Sequence, residues 1–563
     1  MLTCKSWNSI LKNIQQITLT DEKEIIDLDS FLFRYKLVEK VTLNIENCKE
    51  LKFNGHMKLK CINSDNDIVA NFYNLCPGLR RIKLQMKKEP AINILQCLMQ
   101  SPEIEIAEFS KIKLNIVENP QPTRLKRLSF TSLNAWELPL VFNFIDSGCC
   151  PELQQFTLEG DLYLPQRAFL ALLEQTKLEY LELKHVCLAP MHTMQLAQLK
   201  LKTLKMSFCE LSLPVQERYS RVGQLIYIIL QNNHIIEDLE ISHCNLVVNQ
   251  TEEISVSTPI DVNLKNISIF DVANHLYTRE IKKLSSFDLT SFKVSLKSSQ
   301  WAEDWIHNLR TLETIELRFI NDEVDELGGE GIVLKANSLV VWAPPPSQSF
   351  VKTIANSAQF VHNLDFEYPS PEFMSMLSML KPMFQNLKRL QISSYGTDVT
   401  VPLYESISCF SSSLNYLNLH MISQKPYTID QSWIDKLKGH SPNIQYLELL
   451  GFCIDEKDLR YLLRQYSDIH ELSLTGPGIQ NFDTADEITL IASLINMTHL
   501  QKFSLGMKQI HGKSVVEDSN LQTLDQFISS PSAQEMYRQK VERDLNKLIW
   551  WSQVKIWQNL RHF

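Results

Sequence analysis

Two stretches of this chain carry the same eleven-residue pattern of apolar side chains. Leu201, Leu204, Met206, Cys209 and Leu211 hold its fixed positions in one; Ile236, Leu239, Ile241, Cys244 and Leu246 hold them in the other. Further starts fall at Ile14, Val38, Leu79, Ile104, Leu125, Leu153, Leu178, Leu264, Leu284, Leu312, Leu387, Leu414, Ile444, Ile469 and Leu500. Weaker ones at Leu59, Leu339 and Val361 fill the gaps. The mean spacing is about 26 residues, inside the window of about 20–29 that marks one small supersecondary unit per period. One such unit cannot bury its own apolar faces. Only stacking against its neighbours does so, and this restricts the chain to a quasi-one-dimensional array.

The pattern L-x-x-L-x-L-x-x-N/C-x-L is the signature of leucine-rich repeats. The segments between the strand patterns support that reading. Ile92–Met99, Leu459–Leu463 and Ile488–Ile495 place apolar residues three and four apart, as a half-buried helix does. Four helices are expected to stop at a proline just before the next strand, at Pro77, Pro102, Pro151 and Pro442, because proline cannot continue a helix. The expected fold class is therefore α/β: a leucine-rich-repeat solenoid (horseshoe) of about twenty strand–helix repeats with helical end caps. Residues 14–515 form the solenoid, 1–13 an N-terminal element and 516–563 a C-terminal helical cap or tail. The template leucines point inward and the residues between them face a concave wall.

One stretch departs from the pattern. Asp322–Glu330 is acidic and holds Gly328 and Gly329, while Pro344, Pro345 and Pro346 stand where a core strand residue is expected. Proline removes a ladder donor and is excluded from central strands. Residues 320–350 are expected to be an irregular repeat or hinge that splits the array, or else a divergent repeat with a long loop.

Composition narrows the function classes. Of 563 residues, 44% are hydrophobic and 21% charged, enough apolar surface to fill cores. The 15 glycines argue against a hairpin-rich protein that needs many positive-φ turns. A net charge of −9 argues against nucleic acid as a partner. The sequence has no apolar run long enough to span a membrane, and no membrane partner is expected. Its first residues have no apolar signal region. The 12 cysteines form no Cys-x-x-Cys pair, which disfavours disulfides and zinc and points to a reducing compartment, cytosol or nucleus. There is no phosphate-cradling glycine loop, dinucleotide fingerprint or His-Glu-x-x-His motif. The expectation is a non-catalytic protein without metal or cofactor. Cys209 and Cys244 are read as core residues under a turn, where thiols are inert.

The first residues add a family likeness. Leu2-Thr3-Cys4-Lys5-Ser6-Trp7-Asn8-Ser9-Ile10-Leu11-Lys12-Asn13 resembles the closing helix of an F-box, and cysteine at the ninth template position is the subtype that accompanies it. The chain thus resembles F-box and leucine-rich-repeat proteins, over nearly its whole length as repeats but over only about a dozen residues as F-box. Residues 1–13 match only that closing helix and not the Leu-Pro-x-Glu-like segment that opens a full F-box. The resemblance implies a substrate-recognition subunit of an SCF-type cullin–RING ubiquitin ligase. Cys4, Trp7, Ile10 and Leu11 would meet a Skp-type adaptor, and the solenoid would hold a protein target. A non-ligase scaffold or adaptor for protein–protein interaction is the alternative, with the same four residues sealing the first repeat as a cap.

Residues between the second and third template leucines give the expected target-binding wall. In mid-array they are Glu182, Lys205, Glu240, Ser268, Asp288 and Glu316, an acidic run suited to a target with a basic segment. Nearer the C-terminus, Tyr416 and His420 stand beside Tyr446 as expected interface anchors. Val541–Phe563 holds Trp550, Trp551 and Trp557 and is expected either to cap the last repeat or to share in target recognition.

Overall fold

The computed structural model describes residues 16–20, 25–27, 40–44, 50–52, 61–64, 80–85, 94–100, 103–111, 114–117, 119–164, 168–215, 221–253, 263–270, 276, 278–284, 287–297, 311–320, 333–378, 384–395, 412–422, 427–475, 478–480, 497, 499–500, 502–506 and 521–523. The expected F-box remnant and the tryptophan-rich tail lie outside them. The chain divides into two compact units, Met1–Glu280 and Ile281–Phe563.

In the N-terminal unit the template segments form a parallel ladder. Its strands include Arg81–Gln85, Ile106–Ser110, Arg127–Thr131, Gln155–Tyr163, Tyr180–Leu188, Thr203–Ser207, Asp238–Ser242 and Asn266–Phe270. The register follows the leucine pattern. Leu181 pairs with Leu204, Leu204 with Leu239, and Leu239 with Ile267. Alternation along a strand sends successive side chains to opposite faces. Leu204 and Leu239 are each 1% exposed, while Lys205 and Glu240 stand half-buried on the other, open face. The helices close the leucine face. Arg221–Asn232 buries every residue from Val222 to Leu230, which explains the most apolar run of the sequence.

The C-terminal unit repeats the design. Ser291–Lys297, Leu312–Ile320, Ala336–Trp342, Asn363–Glu367, Arg389–Tyr395, Tyr416–Ile422, Tyr446–Leu450, Glu471–Thr475 and Lys502–Gly506 pair parallel in that order. Helices opposite them start on side-chain caps. Asp430 accepts from the Trp433 N–H at 2.8 Å and Asp455 from the Asp458 N–H at 2.6 Å. Such caps contribute about 1 kcal/mol each. Each of these two ladders has a leucine-rich-repeat solenoid fold.

Two repeats sit in a different register from the sequence expectation. Leu284 ends the helix Thr278–Leu284, buried on its inner face, and the strand pattern starts instead at Leu289, followed by Phe292 and Val294. Helix periodicity had mimicked a template position. Likewise Leu339 is the second template residue, paired with Ile315 and Leu364, and Ala336 takes the first. Within 320–350, the strand Ala336–Trp342 keeps its register with both neighbours. Pro344, Pro345 and Pro346 follow its end, where no ladder donor is needed, and Ser347 caps the next helix by accepting from the Phe350 N–H at 3.1 Å.

Positive-φ turns are frequent in spite of the scarce glycine. Lys111, Ser132, Phe208, His243, Ala343 and Tyr368 take φ between 47° and 56° where strand gives way to turn, and His185 takes φ 53° at a bulge inside Tyr180–Leu188. A left-handed residue costs about 1–2 kcal/mol. Its N–H, however, reaches the next repeat: Phe208 donates to the Ser242 carbonyl at 2.9 Å, Ala343 to Glu367 at 2.7 Å and Tyr368 to Ser393 at 2.7 Å. The bond between repeats offsets the strain.

His192, in the helix Pro190–Gln198, is 4% exposed and stacked on Phe169 at 5.5 Å. Its Nδ1 accepts from the Ala189 N–H at 3.2 Å, so the ring must be neutral there, and burial holds its pKa below the ordinary value. The unfolded chain therefore binds this proton more readily than the folded one. The stability gained from neutral His192 is present above about pH 6.5 and is lost as pH falls through the lowered folded value. Thermal unfolding followed across that window should show the loss, and His192→Gln should flatten it.

Candidate functional site

The open face of each ladder is built from the residues between the leucines, and cross-strand register decides which of them meet. In the N-terminal unit Glu182, Lys205, Glu240 and Ser268 do form one row. The row is not uniformly acidic in effect, because its charges neutralise one another. Lys205 Nζ lies 3.3 Å from Glu240, and Lys184 Nζ lies 2.7 Å from Glu182. Burial alone would raise the Glu182 carboxyl, but Lys184 and the Tyr180 hydroxyl hold it below its ordinary value.

In the C-terminal unit the row runs Lys293, Glu316, Val340, Asp365, Gln391, Asn418, Glu448 and Ser473. Asp288 is not part of it. That residue precedes the strand and is exposed, and the shifted register puts Lys293 in the row instead, reversing the charge. Glu316 is in the row but 7% exposed, held by Arg318 at 3.0 Å and Lys293 at 3.3 Å. It is an internal partner of those cations rather than a free carboxylate.

Tyr416 and Tyr446 are brought together. They are register partners at the start of adjacent strands, with ring centroids 6.1 Å apart. The stack extends beyond them, since the Arg389 guanidinium lies 4.2 Å over the Tyr416 ring and His470 stacks on Tyr446 at 5.8 Å. A guanidinium over an aromatic face is attracted by the ring quadrupole, so the tyrosines are held in place before anything binds. His420 lies further along the Tyr416 strand on the same face, opposite Leu450, and burial keeps its pKa below the ordinary value. Cys4, Trp7, Ile10 and Leu11 lie outside the described residues.

Several open-face residues were not singled out from the sequence. Arg318 Cζ lies 4.3 Å over the Trp342 ring, and Trp342 meets Tyr368 at 5.7 Å. Next to them, Glu367 accepts from Ser393 Oγ at 3.0 Å and Gln391 Nε2 at 3.3 Å. Asp365 stands between Val340 and Gln391 in the row. Reading the row position of every repeat, once the register of the Ala336 strand is known, would have found Asp365.

Among the described residues no group of three or more His, Cys, Asp or Glu side chains could hold a metal ion, and no helix is long and apolar enough to cross a membrane. Cys209 and Cys244 are buried under the turns as expected, their thiols donating to the Leu183 and Met206 carbonyls.

No family model matches the sequence, and no curated protein matches it. Solved structures do align with it. One is TLR13 in complex with ssRNA13, 12% identical, with 91% of this chain and 82% of that chain covered and a TM-score of 0.41. Another is the mouse RP105/MD-1 complex, 13% identical, with 81% of this chain and 70% of that chain covered and a TM-score of 0.34.

Proposed function

We propose that this chain is a non-catalytic protein-interaction scaffold. A partner protein docks across the open sheet face of the C-terminal unit and is anchored on Tyr416 and Tyr446. The observation that carries this reading is the Arg389–Tyr416–Tyr446–His470 stack, whose two tyrosines stand half-buried on the sheet face opposite the buried leucines. Rigid tyrosines offer contact area at low entropic cost, and the stack pre-orders them. Proximity labelling or co-purification identifies the partner. Tyr416→Ala with Tyr446→Ala is then expected to weaken binding by at least about ten-fold, as loss of interface anchors does, with the unfolding transition unchanged. Unaltered affinity, or binding mapped to the helices, would overturn the placement.

A second reading rests on the likeness of Leu2–Asn13 to an F-box closing helix. On that reading the scaffold is the substrate-recognition subunit of an SCF-type ubiquitin ligase in cytosol or nucleus, with a Skp-type adaptor and a cullin as further partners. Pull-down with recombinant adaptor tests it. The chain by itself should bind weakly or not at all, and a longer form with an upstream Leu-Pro-x-Glu segment should bind. Failure of both forms removes the ligase role and leaves the scaffold.

A further inference from the structure

The charges on the open face of the C-terminal unit are unevenly answered. Glu316 is matched by Arg318 and Lys293, and Glu448 accepts from Asn418 Nδ2 at 3.1 Å. Glu367 accepts hydrogen bonds from the neutral donors Ser393 and Gln391, and Arg318 acts on it through charge without an ion-pair contact. Asp365 has less. Its Oδ1 is buried and finds no hydrogen-bond partner among the described residues. The cation on the adjacent strand, Arg389, is turned onto the Tyr416 ring and toward Gln391. No ion pair among the described residues includes Asp365 or Glu367.

A buried carboxyl oxygen left unpaired carries a full desolvation cost, which a donor from outside would relieve. The surroundings indicate the donor's chemistry. Trp342 and Tyr368 wall the Glu367 side, and the indole Nε1 of Trp342 is likewise buried without a partner among the described residues. Tyr416 stands on the other side, capped by Arg389. Carboxylates flanked by aromatic rings favour a cationic side chain that brings N–H donors and stacks its stem on the rings.

We propose that Asp365, with Glu367, receives a lysine or arginine side chain from an extended basic segment of a partner protein lying across this face. The proposal rests on the docking reading above and adds the partner's chemistry and a proton linkage. In the free protein the Asp365 pKa is pushed up to about 7 by burial and by Glu367, against the opposing pull of Arg389 and with a smaller push from Glu316, so its carboxyl is half protonated at neutrality and mostly protonated at lower pH. Register places the other charged or titratable groups of this face on further strands: Lys293 on Ser291–Lys297, Arg318 on Leu312–Ile320, Tyr416 and His420 on Tyr416–Ile422, and Glu448 on Tyr446–Leu450. The strand Ala336–Trp342 presents Ser338, Val340 and Trp342, which carry no charge. When the cation enters, the carboxyl O–H breaks, its proton goes to solvent, and the carboxylate accepts from the incoming N–H.

Calorimetric titration of the full chain with an oligo-arginine peptide, in buffers of different ionisation enthalpy, tests this. Binding is expected to be roughly ten-fold tighter at about pH 8 than at about pH 6 and to release a proton near neutrality. Asp365→Asn keeps the side-chain shape and should bind more weakly, with neither pH dependence nor proton release. Absence of binding by the wild-type chain, or an unchanged proton release in Asp365→Asn, overturns the proposal. Tyr416→Ala with Tyr446→Ala should lower affinity for the peptide and leave the proton release intact. Loss of the anchors and loss of the cation site are therefore read on different signals.

Discussion

Phe350→Ala is expected to cost about 4 kcal/mol, in the range of about 3–5 kcal/mol for removing a buried phenylalanine. Phe350 is 0% exposed in the helix that follows Pro344–Pro346. Its ring meets Phe319 edge-on at 5.1 Å and Phe373 at 6.1 Å, and Phe373 meets Phe366 edge-on at 5.1 Å. The aromatic cluster thus joins side chains from the strands before and after the proline segment to its helix. Truncation leaves a cavity and removes ring contacts worth about 0.5–1.5 kcal/mol beyond the buried area. Chemical denaturation followed by near-ultraviolet circular dichroism should show the loss. Hydrogen exchange should confine it to the repeats around residues 312–378, because each repeat touches only its neighbours. A change below about 1 kcal/mol would mean that the segment is a loosely attached loop.

Gly451→Ala is expected to destabilise the protein by on the order of 3 kcal/mol through a different route, backbone strain added to overlap. Gly451 has φ 85°, and a Cβ built on it would lie 1.5 Å from the Met421 carbonyl oxygen. The left-handed residues elsewhere keep side chains, so left-handed geometry alone is tolerated in this fold. At Gly451 the close approach of the neighbouring repeat's backbone leaves no room. The denaturation midpoint should fall without a change in the slope of free energy against denaturant, since the surface exposed on unfolding is the same. Tyr446 lies on the strand that Gly451 terminates, so weaker partner binding by this variant should track its lost stability.

Much of the fold was legible in the sequence because a leucine-rich template is a local property. The spacing of Leu201, Leu204 and Met206 forces alternation along a strand, and the stripe on Arg221–Asn232 requires something to cover it. Buried Leu204, Leu239 and Leu447, each 1% exposed, follow from that spacing alone. Where local signals compete, the sequence misleads. Leu284 satisfies a helix stripe as well as a strand template, and only the paired strands show that Leu289 begins the repeat.

The site was less legible, for a related reason. Tyr416 and Tyr446 could be matched because their repeats are regular and the offset between them is unambiguous. The acidity expected of Glu182, Lys205, Glu240, Asp288 and Glu316 was a tally of formal charges. It could not include Lys184 folding back onto Glu182, Arg318 and Lys293 closing on Glu316, or the register that exchanges Asp288 for Lys293. Sequence by itself determined the repeating unit, its buried faces and the residue types offered on the open face, because these depend on spacing within one strand or helix. Tertiary structure alone decided which charges are answered and which are left, as at Asp365, because ion pairing depends on atoms of neighbouring strands brought side by side across connections of unequal length.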